Sequence, residues 1–365
     1  MSRFVCTFVA ILDKIVVMEM TNRQQEIILD ILEGSNSLSQ LSESESLGNV
    51  ARRTIQRDIG ELNERGIIQS SGEARATVYD ITPQGRVNIS ISENRLKRFF
   101  SREDRPAVRF DFGRLDILGS TPLFTDPEKK ELDELNGVFQ QKLETAPADI
   151  IRREKERITI ELSWKSSQFE GNTYTLIETE SLLKEGVIAT GKTQEETTMV
   201  LNHKKALDFA EANQELFANK LNVQSIIELH KLIVDGLGIS HGLRDRLVGI
   251  TGSTYKPLEN KFQIEDELKK LCDVINSKDN VYEKSLIAFI YICYLQPFND
   301  GNKRTARILA NAIQNAHRSF PLSLLATDVN TYKLATLAYY EMGILGNVKV
   351  VFIEQARFAA ENYAI

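Results

Sequence analysis

One stretch constrains this chain more than any other. Leu286-Ile-Ala-Phe-Ile-Tyr-Ile-Cys-Tyr-Leu295 is almost wholly apolar and aromatic. A helix that is apolar on every side must be wrapped by the rest of its domain, so the run predicts a central buried helix. The loop after it reads Gln296-Pro-Phe-Asn-Asp-Gly-Asn-Lys-Arg-Thr-Ala-Arg307, and helical spacing resumes at Ile308, Leu309, Ala312 and Ile313. A glycine turn that opens directly into a helix is an anion-binding device, because free backbone N–H groups and the positive dipole end face the ligand. Arg304 and Arg307 lie three apart near that end. Two guanidinium groups converging there suit a polyphosphate, and Asp300 is placed to hold a Mg²⁺ that bridges phosphates. The residues alone therefore suggest nucleotide phosphate binding. They also fit a plain turn between two helices with arginines on its surface.

The full string resembles the signature of the Fic family, His-x-Phe-x-(Asp/Glu)-Gly-Asn-(Gly/Lys)-Arg-x-x-Arg, and every position except the first fits. A second stretch, Ser166-Ser-Gln-Phe-Glu170-Gly171, resembles the family's inhibitory motif, (Ser/Thr)-x-x-x-Glu-(Gly/Asn). The resemblance covers about Thr125 to the end and is densest from His230 to Tyr340. It implies an all-α Fic fold over 125–365, with an inhibitory helix at about 150–171 and a β-hairpin flap at about 240–262. It implies an adenylyltransferase, which moves AMP from ATP to a Ser, Thr or Tyr hydroxyl of a protein target. ATP and Mg²⁺ are the expected small partners. Asp300, Gly301, Asn302, Lys303, Arg304 and Arg307 would cradle the nucleotide. Ile250, Thr251 and Gly252 on the flap and Tyr332 and Tyr340 downstream would complete the site. Glu170 would pair with Arg307 and block seating of the γ-phosphate, inhibiting the chain from within.

The departure is Gln296, which stands where the family has its catalytic histidine. A neutral amide can hydrogen-bond a hydroxyl but cannot take its proton. Loss of a general base costs about 10²–10⁴ in rate. His230 and His241 are the candidates for a substitute base, although His230 sits in an apolar helical pattern that suits a packed ring. His and Gln codons differ only in the third base, so the difference is one nucleotide deep. Lys303 occupies a position where glycine is commoner. Lysine there is shared with Doc-type toxins, which transfer the γ-phosphate.

Before the Fic-like region, residues 21–88 read as three short helices and a hairpin. This resembles a winged helix-turn-helix module of α+β type, so the whole chain is expected to be mostly α. Arg52, Arg53 and Arg57 cluster on the recognition-helix candidate, yet residues 21–90 hold seven basic and ten acidic side chains. DNA binding needs cationic contacts to phosphate, and a protein-interaction or dimerisation module fits that balance too. A non-enzymatic regulator, switched by nucleotide and binding DNA or a partner through this module, is therefore the rival function. Residues 89–124 read as a connector, and a homodimer is among the expectations.

A net charge of −6 gives no general pull toward nucleic acid or membrane. Cys6, Cys272 and Cys293 are far apart and odd in number, which argues against a disulfide scaffold and for a reducing compartment. The apolar stretch Val5–Val17 is interrupted by Asp13 and Lys14 and is too short to span a bilayer. Met18 and Met20 suggest that residues 1–20 are a tail from an over-called start. A cytoplasmic protein is expected.

Overall fold

The computed structural model describes Met20–Tyr363. The expectation of a tail falls almost wholly on residues outside that range. The described chain forms two compact units. The smaller comprises the described residues up to Ser92, with Thr121–Lys130 and Ile344–Gly346. The larger comprises Glu93–Ser120, Glu131–Gly343 and the residues from Asn347 onward.

The smaller unit begins with α1 (Asn22–Leu32), α2 (Leu38–Glu43) and α3 (Arg52–Glu64), followed by β1 (Ile68–Ser71), β2 (Val78–Ile81) and α4 (Pro83–Asn88). Thr21 and Ser37 start α1 and α2 with capping boxes, each side chain satisfying a free N–H of the first turn. Ile27, Ile28, Ile55, Ile59 and Leu62 carry the apolar stripes into the core. The strands pair antiparallel, with Ile68 opposite Ile81. Gly85 sits where a Cβ would meet the Ile67 carbonyl at 2.1 Å, so α4 can approach β1 only because that side chain is missing.

The larger unit is nearly all helix. Its elements are α5 (Glu93–Phe100), β3 (Val108–Arg109), α6 (Gly113–Ser120), α7 (Asp126–Thr145, entering from the smaller unit), α8 (Ala148–Gln168), α9 (Leu176–Glu185), α10 (Gln194–Ala212), α11 (Gln214–Asn219), α12 (Val223–Val234), β4 (Tyr255–Lys256), α13 (Lys261–Ser277), α14 (Val281–Leu295), α15 (Asn302–Ala316), α16 (Val329–Leu337) and α17 (Gly346–Asn362). A π-helical turn over Ala338–Met342 continues α16. The central helix expected from the apolar run is α14. Leu286, Ile287, Ile290, Tyr291, Ile292, Tyr294 and Leu295 are all fully buried. No described helix is long and apolar enough to cross a membrane. Cys272 and Cys293 are free and buried.

The flap expectation needs correction. Residues 240–262 form no hairpin, and their single strand, β4, pairs parallel with β3. Strand pairing is taken up by a segment far upstream instead of by a neighbour in sequence. The loop before β4 is tied down by side chains. The Arg244 guanidinium is fully buried and donates to the carbonyls of Gln296, Arg246 and Leu258. Glu341 accepts from Ser253 Oγ at 2.7 Å and Thr254 N at 2.9 Å, and it pairs with Arg105 at 3.0 Å. Arg105 also donates to the Gly252 carbonyl at 3.0 Å. The stretch expected as a connector thus supplies both β3 and Arg105 to the larger unit.

Candidate functional site

The turn between α14 and α15 is built on two left-handed residues. Gln296 ends α14 at φ 50° and Gly301 opens α15 at φ 79°. Gly301 could hardly be another residue, since an added Cβ would lie 2.9 Å from Val234 Cγ1. Asn302 clips the turn from inside: its Oδ1 accepts from Phe298 N at 2.9 Å and its Nδ2 donates to Phe298 O at 2.8 Å. His230 supports it from below. Its ring stacks on Phe298 with centroids 3.7 Å apart and planes 5° apart, and its Nε2 donates to Asp300 O at 2.9 Å. Burial pulls the His230 imidazole down to about 4, the neighbouring Arg304 and His241 adding to that pull against the Asp300 carbonyl. His230 is therefore a neutral packing ring whose Nε2–H is committed to a backbone carbonyl. This corrects its candidacy as a substitute base.

The first N–H groups of α15 have no intrahelical partner, and no side chain caps them. Arg304 lies beside them with 4% of its side chain exposed and one bond, Nη2 to Asp300 Oδ2 at 3.0 Å. Its Nε and Nη1 are buried and have no partner. Unsatisfied buried guanidinium protons mark a place where an acceptor belongs. The Asp300 carboxylate is 66% exposed.

Arg307 is held much more firmly. Its Nε donates to Ser166 Oγ at 2.8 Å, Nη2 to Ser166 O at 2.9 Å and to Glu170 Oε1 at 2.7 Å, and Nη1 to Tyr332 OH at 3.2 Å. Phe169 and Tyr332 pack with ring centroids 4.6 Å apart and planes tilted by 34°, and both rings lie against the guanidinium. The end of α8 thus grips Arg307 through backbone, hydroxyl and carboxylate together. Burial pushes the Glu170 carboxyl up, but the charges of Arg307 and Lys303 outweigh it and leave the group below its ordinary range. Burial likewise opposes the charge on Arg307, and Tyr332 and Glu170 overcome it, so the guanidinium stays ionised.

Behind Ser166 lies His203, wholly buried on α10. Its Nδ1 bonds Met199 O at 2.8 Å and its Nε2 bonds Ser166 Oγ at 2.8 Å. Burial brings the ring down to about 3, the charges of Arg304 and Arg307 adding to the effect. In the neutral ring Nδ1–H donates to Met199 O and Nε2 accepts the Ser166 proton. The serine lone pairs are then turned toward Arg307. Sequence reasoning missed His203, because nothing within α10 distinguishes it and its partner is 37 residues away. Arg244 was missed for a similar reason, since its partners are backbone carbonyls.

Gln296 is 7% exposed. Its Nε2 donates to Cys293 O at 2.6 Å, a contact that fixes the amide orientation because only the NH₂ can face a carbonyl. The amide oxygen is left as an acceptor. Tyr340 is not at the site surface: it is fully buried and stacks with Tyr255 at 5.8 Å, a packing position on the core face of the π-helical turn. Ile250, Thr251 and Gly252 lie on the loop anchored by Arg105 and Glu341, with Thr251 and Gly252 exposed. Arg52, Arg53 and Arg57 belong to the smaller unit, where all three are exposed and Arg57 is 3.7 Å from Glu61. No group of three or more metal-ligating side chains occurs among the described residues.

Residues 220–314 match the Fic/DOC family model, a span that contains Arg244, the loop and most of α15. The chain is 24% identical over 250 residues to protein adenylyltransferase fic-1 of Caenorhabditis elegans, covering 66% of this chain and 48% of that protein. It is 28% identical over 200 residues to protein adenylyltransferase Fic of Nematostella vectensis, covering 51% and 46%. The chain spans about half the length of the curated relatives it matches. Among solved structures, Fic-1 from C. elegans superposes with a TM-score of 0.54 at 18% identity, over 93% of this chain and 97% of that one. A Fic domain-containing signaling protein from Bacteroides thetaiotaomicron gives 0.53 at 20% identity, over 63% and 96%.

Proposed function

We propose, from a Fic domain at residues 220–314 with homology to protein adenylyltransferases, that this chain binds ATP at the α14–α15 turn and is held inactive by Glu170. The observation that carries the reading is the 2.7 Å contact between Glu170 and Arg307, an arginine each of whose three guanidinium nitrogens donates a hydrogen bond. In this reading the α15 N-terminus and the free Nε and Nη1 of Arg304 take phosphate oxygens. Arg307 would take the terminal phosphate, and the Glu170 carboxylate occupies it in place of that phosphate. The exposed carboxylate of Asp300 suits Mg²⁺, which keeps most of its waters and needs few protein ligands. When bound, the metal would neutralise phosphate charge.

Gln296 defines what the site would lack. Its amide oxygen can accept a hydrogen bond from a target hydroxyl and orient it, but no proton is taken. Positioning and charge stabilisation survive, so the expected product is a nucleotide-binding protein with slow transfer, down by about 10²–10⁴. The test is incubation with α-labelled ATP of the chain as it stands, Glu170→Gly, Gln296→His and the double variant. Label transfer by the double variant supports adenylylation. No transfer to itself or to lysate proteins sinks it, and transfer of γ-label instead would assign the phosphotransferase chemistry that Lys303 allows.

A second reading is favoured by the smaller unit, which presents Arg52 and Arg53 on an exposed face of α3. In it, a winged helix binds DNA or a partner and nucleotide occupancy switches that binding. A gel shift on the gene's upstream DNA, titrated with salt, decides between the two, because phosphate contacts weaken steeply as salt rises.

A further inference from the structure

Glu170 stands just past the end of α8, so its reach to Arg307 depends on where the chain goes next. Gly171 turns that chain at φ 91°, and the N–H groups of Gly171 and Asn172 close α8 onto Gln168 O and Ser167 O. Residues 172–175 then run to α9 without helix or strand. A segment of that kind keeps one position only if groups outside it hold its polar atoms.

The start of α10 does this, largely through one carboxylate. Glu196 Oε1 accepts from Thr173 N at 2.9 Å and from Thr173 Oγ1 at 2.6 Å. The Glu196 carbonyl accepts from Asn172 Nδ2 at 2.8 Å. Lys192 Nζ donates to Thr173 O at 2.7 Å, and Trp164 Nε1 on α8 donates to Tyr174 O at 3.0 Å. Glu196 Oε2 serves its own helix. It completes the capping box of α10, accepting from Thr193 N at 2.9 Å and Thr193 Oγ1 at 3.0 Å. Hydrogen bonds from the Thr173 hydroxyl, then from the Thr193 and Thr173 N–H groups, bring the carboxyl down to about 2, so it is ionised at neutral pH.

A capping box needs only one of those oxygens, and glutamine serves it as well as glutamate. The second acceptor is what glutamine cannot supply, since its NH₂ only donates. Glu196 thus carries more acceptor capacity than α10 uses, and the surplus goes to a residue three positions past Glu170.

We propose that Glu196 is a positioning residue for the inhibitory contact: by fixing Thr173 it holds the chain after α8, and Glu170 with it, within reach of Arg307. This rests on the reading that Glu170 competes with phosphate for Arg307. The side-chain hydrogen bonds of Glu196 among the described residues go to Thr173 and Thr193, so it acts on the site only through this segment.

Calorimetry with ATP on the full chain tests it, using Glu196→Gln, Thr173→Val, Glu170→Gly and the double variant of Glu196→Gln with Glu170→Gly. Glu196→Gln keeps the cap and loses the bridge. Thr173→Val removes the bridging hydroxyl and leaves α10 untouched, so the question stays open to refutation even if Glu196→Gln folds poorly. Each is expected to tighten ATP by about threefold to tenfold, the equivalent of one hydrogen bond, and by less than Glu170→Gly does. In the double variant Glu196→Gln should add nothing, because the group it positions is gone. A merely structural role would not show that dependence. If Glu170→Gly tightens ATP while folded Glu196→Gln and Thr173→Val bind as the unaltered chain does, the positioning role is overturned and the inhibitory reading stands. A gain from Glu196→Gln that persists without Glu170 also overturns it. No gain from Glu170→Gly itself removes the inhibitory reading, and this proposal with it.

Discussion

His203 Nε2 and Arg307 Nε converge on the same atom, Ser166 Oγ, each at 2.8 Å. One takes the hydroxyl proton and the other gives a proton to its lone pair. Ser166→Ala removes both partners at once, in a place that water does not reach. The expected cost is about 1–3 kcal/mol of folding stability, read from urea denaturation. A change below about 0.5 kcal/mol, the range of an ordinary surface substitution, would show that the hydroxyl is not what holds the guanidinium.

The two buried imidazoles set an acid limit. Both His203 and His230 are depressed on folding, to about 3 and about 4, from an ordinary value of 6.5. Each is neutral in the folded chain and protonates more readily when unfolded. Their contribution is thus complete above about pH 6.5 and is lost as pH falls toward 4. The slope approaches about 1.4 kcal/mol per pH unit for each histidine. Denaturation midpoints from pH 4.5 to 8 measure it, and His203→Gln should flatten the curve by its own share.

Glu170→Gly should raise ATP affinity by about tenfold or more, the equivalent of roughly 1.4 kcal/mol of removed competition. Arg307 would stay in place on Ser166 and Tyr332, so the variant should fold normally. Calorimetry with ATP checks both points. Unchanged affinity with intact folding would remove the inhibitory role of this carboxylate.

Arg244 carries its charge on carbonyls alone and connects Gln296 and Pro297 to the loop before β4. Arg244→Leu strands two buried carbonyls, those of Gln296 and Leu258, and a part-buried one on Arg246, while losing the charge. A loss of about 3 kcal/mol is expected, within the range for breaking a buried polar network. Limited proteolysis should then cut within 240–254 first, since Arg244 and the Glu341 contacts are its main restraints.

Much of this was legible because it is local. The apolar run of α14 announced burial, and the glycine turn announced the start of α15. The pairing of Glu170 with Arg307 came from a motif resemblance and stands at 2.7 Å. What was not legible depends on partners distant in sequence. β4 was expected to pair with a neighbour, but its partner is Val108–Arg109. Tyr340 shows helical spacing with Tyr332, yet the π-helical turn rotates it into the aromatic core. His203 and Arg244 carry no local mark at all.

The left-handed backbone at position 296 has a consequence for reversibility. Histidine is among the few side chains that occupy that conformation readily, and the Cys293 carbonyl that now accepts from the amide can accept from an imidazole N–H as well. A single third-base change in one codon would therefore install a proton acceptor on a main chain already shaped to carry it. In the proposed reading, one nucleotide separates this site from one that carries a base, with the contact between Glu170 and Arg307 still in place.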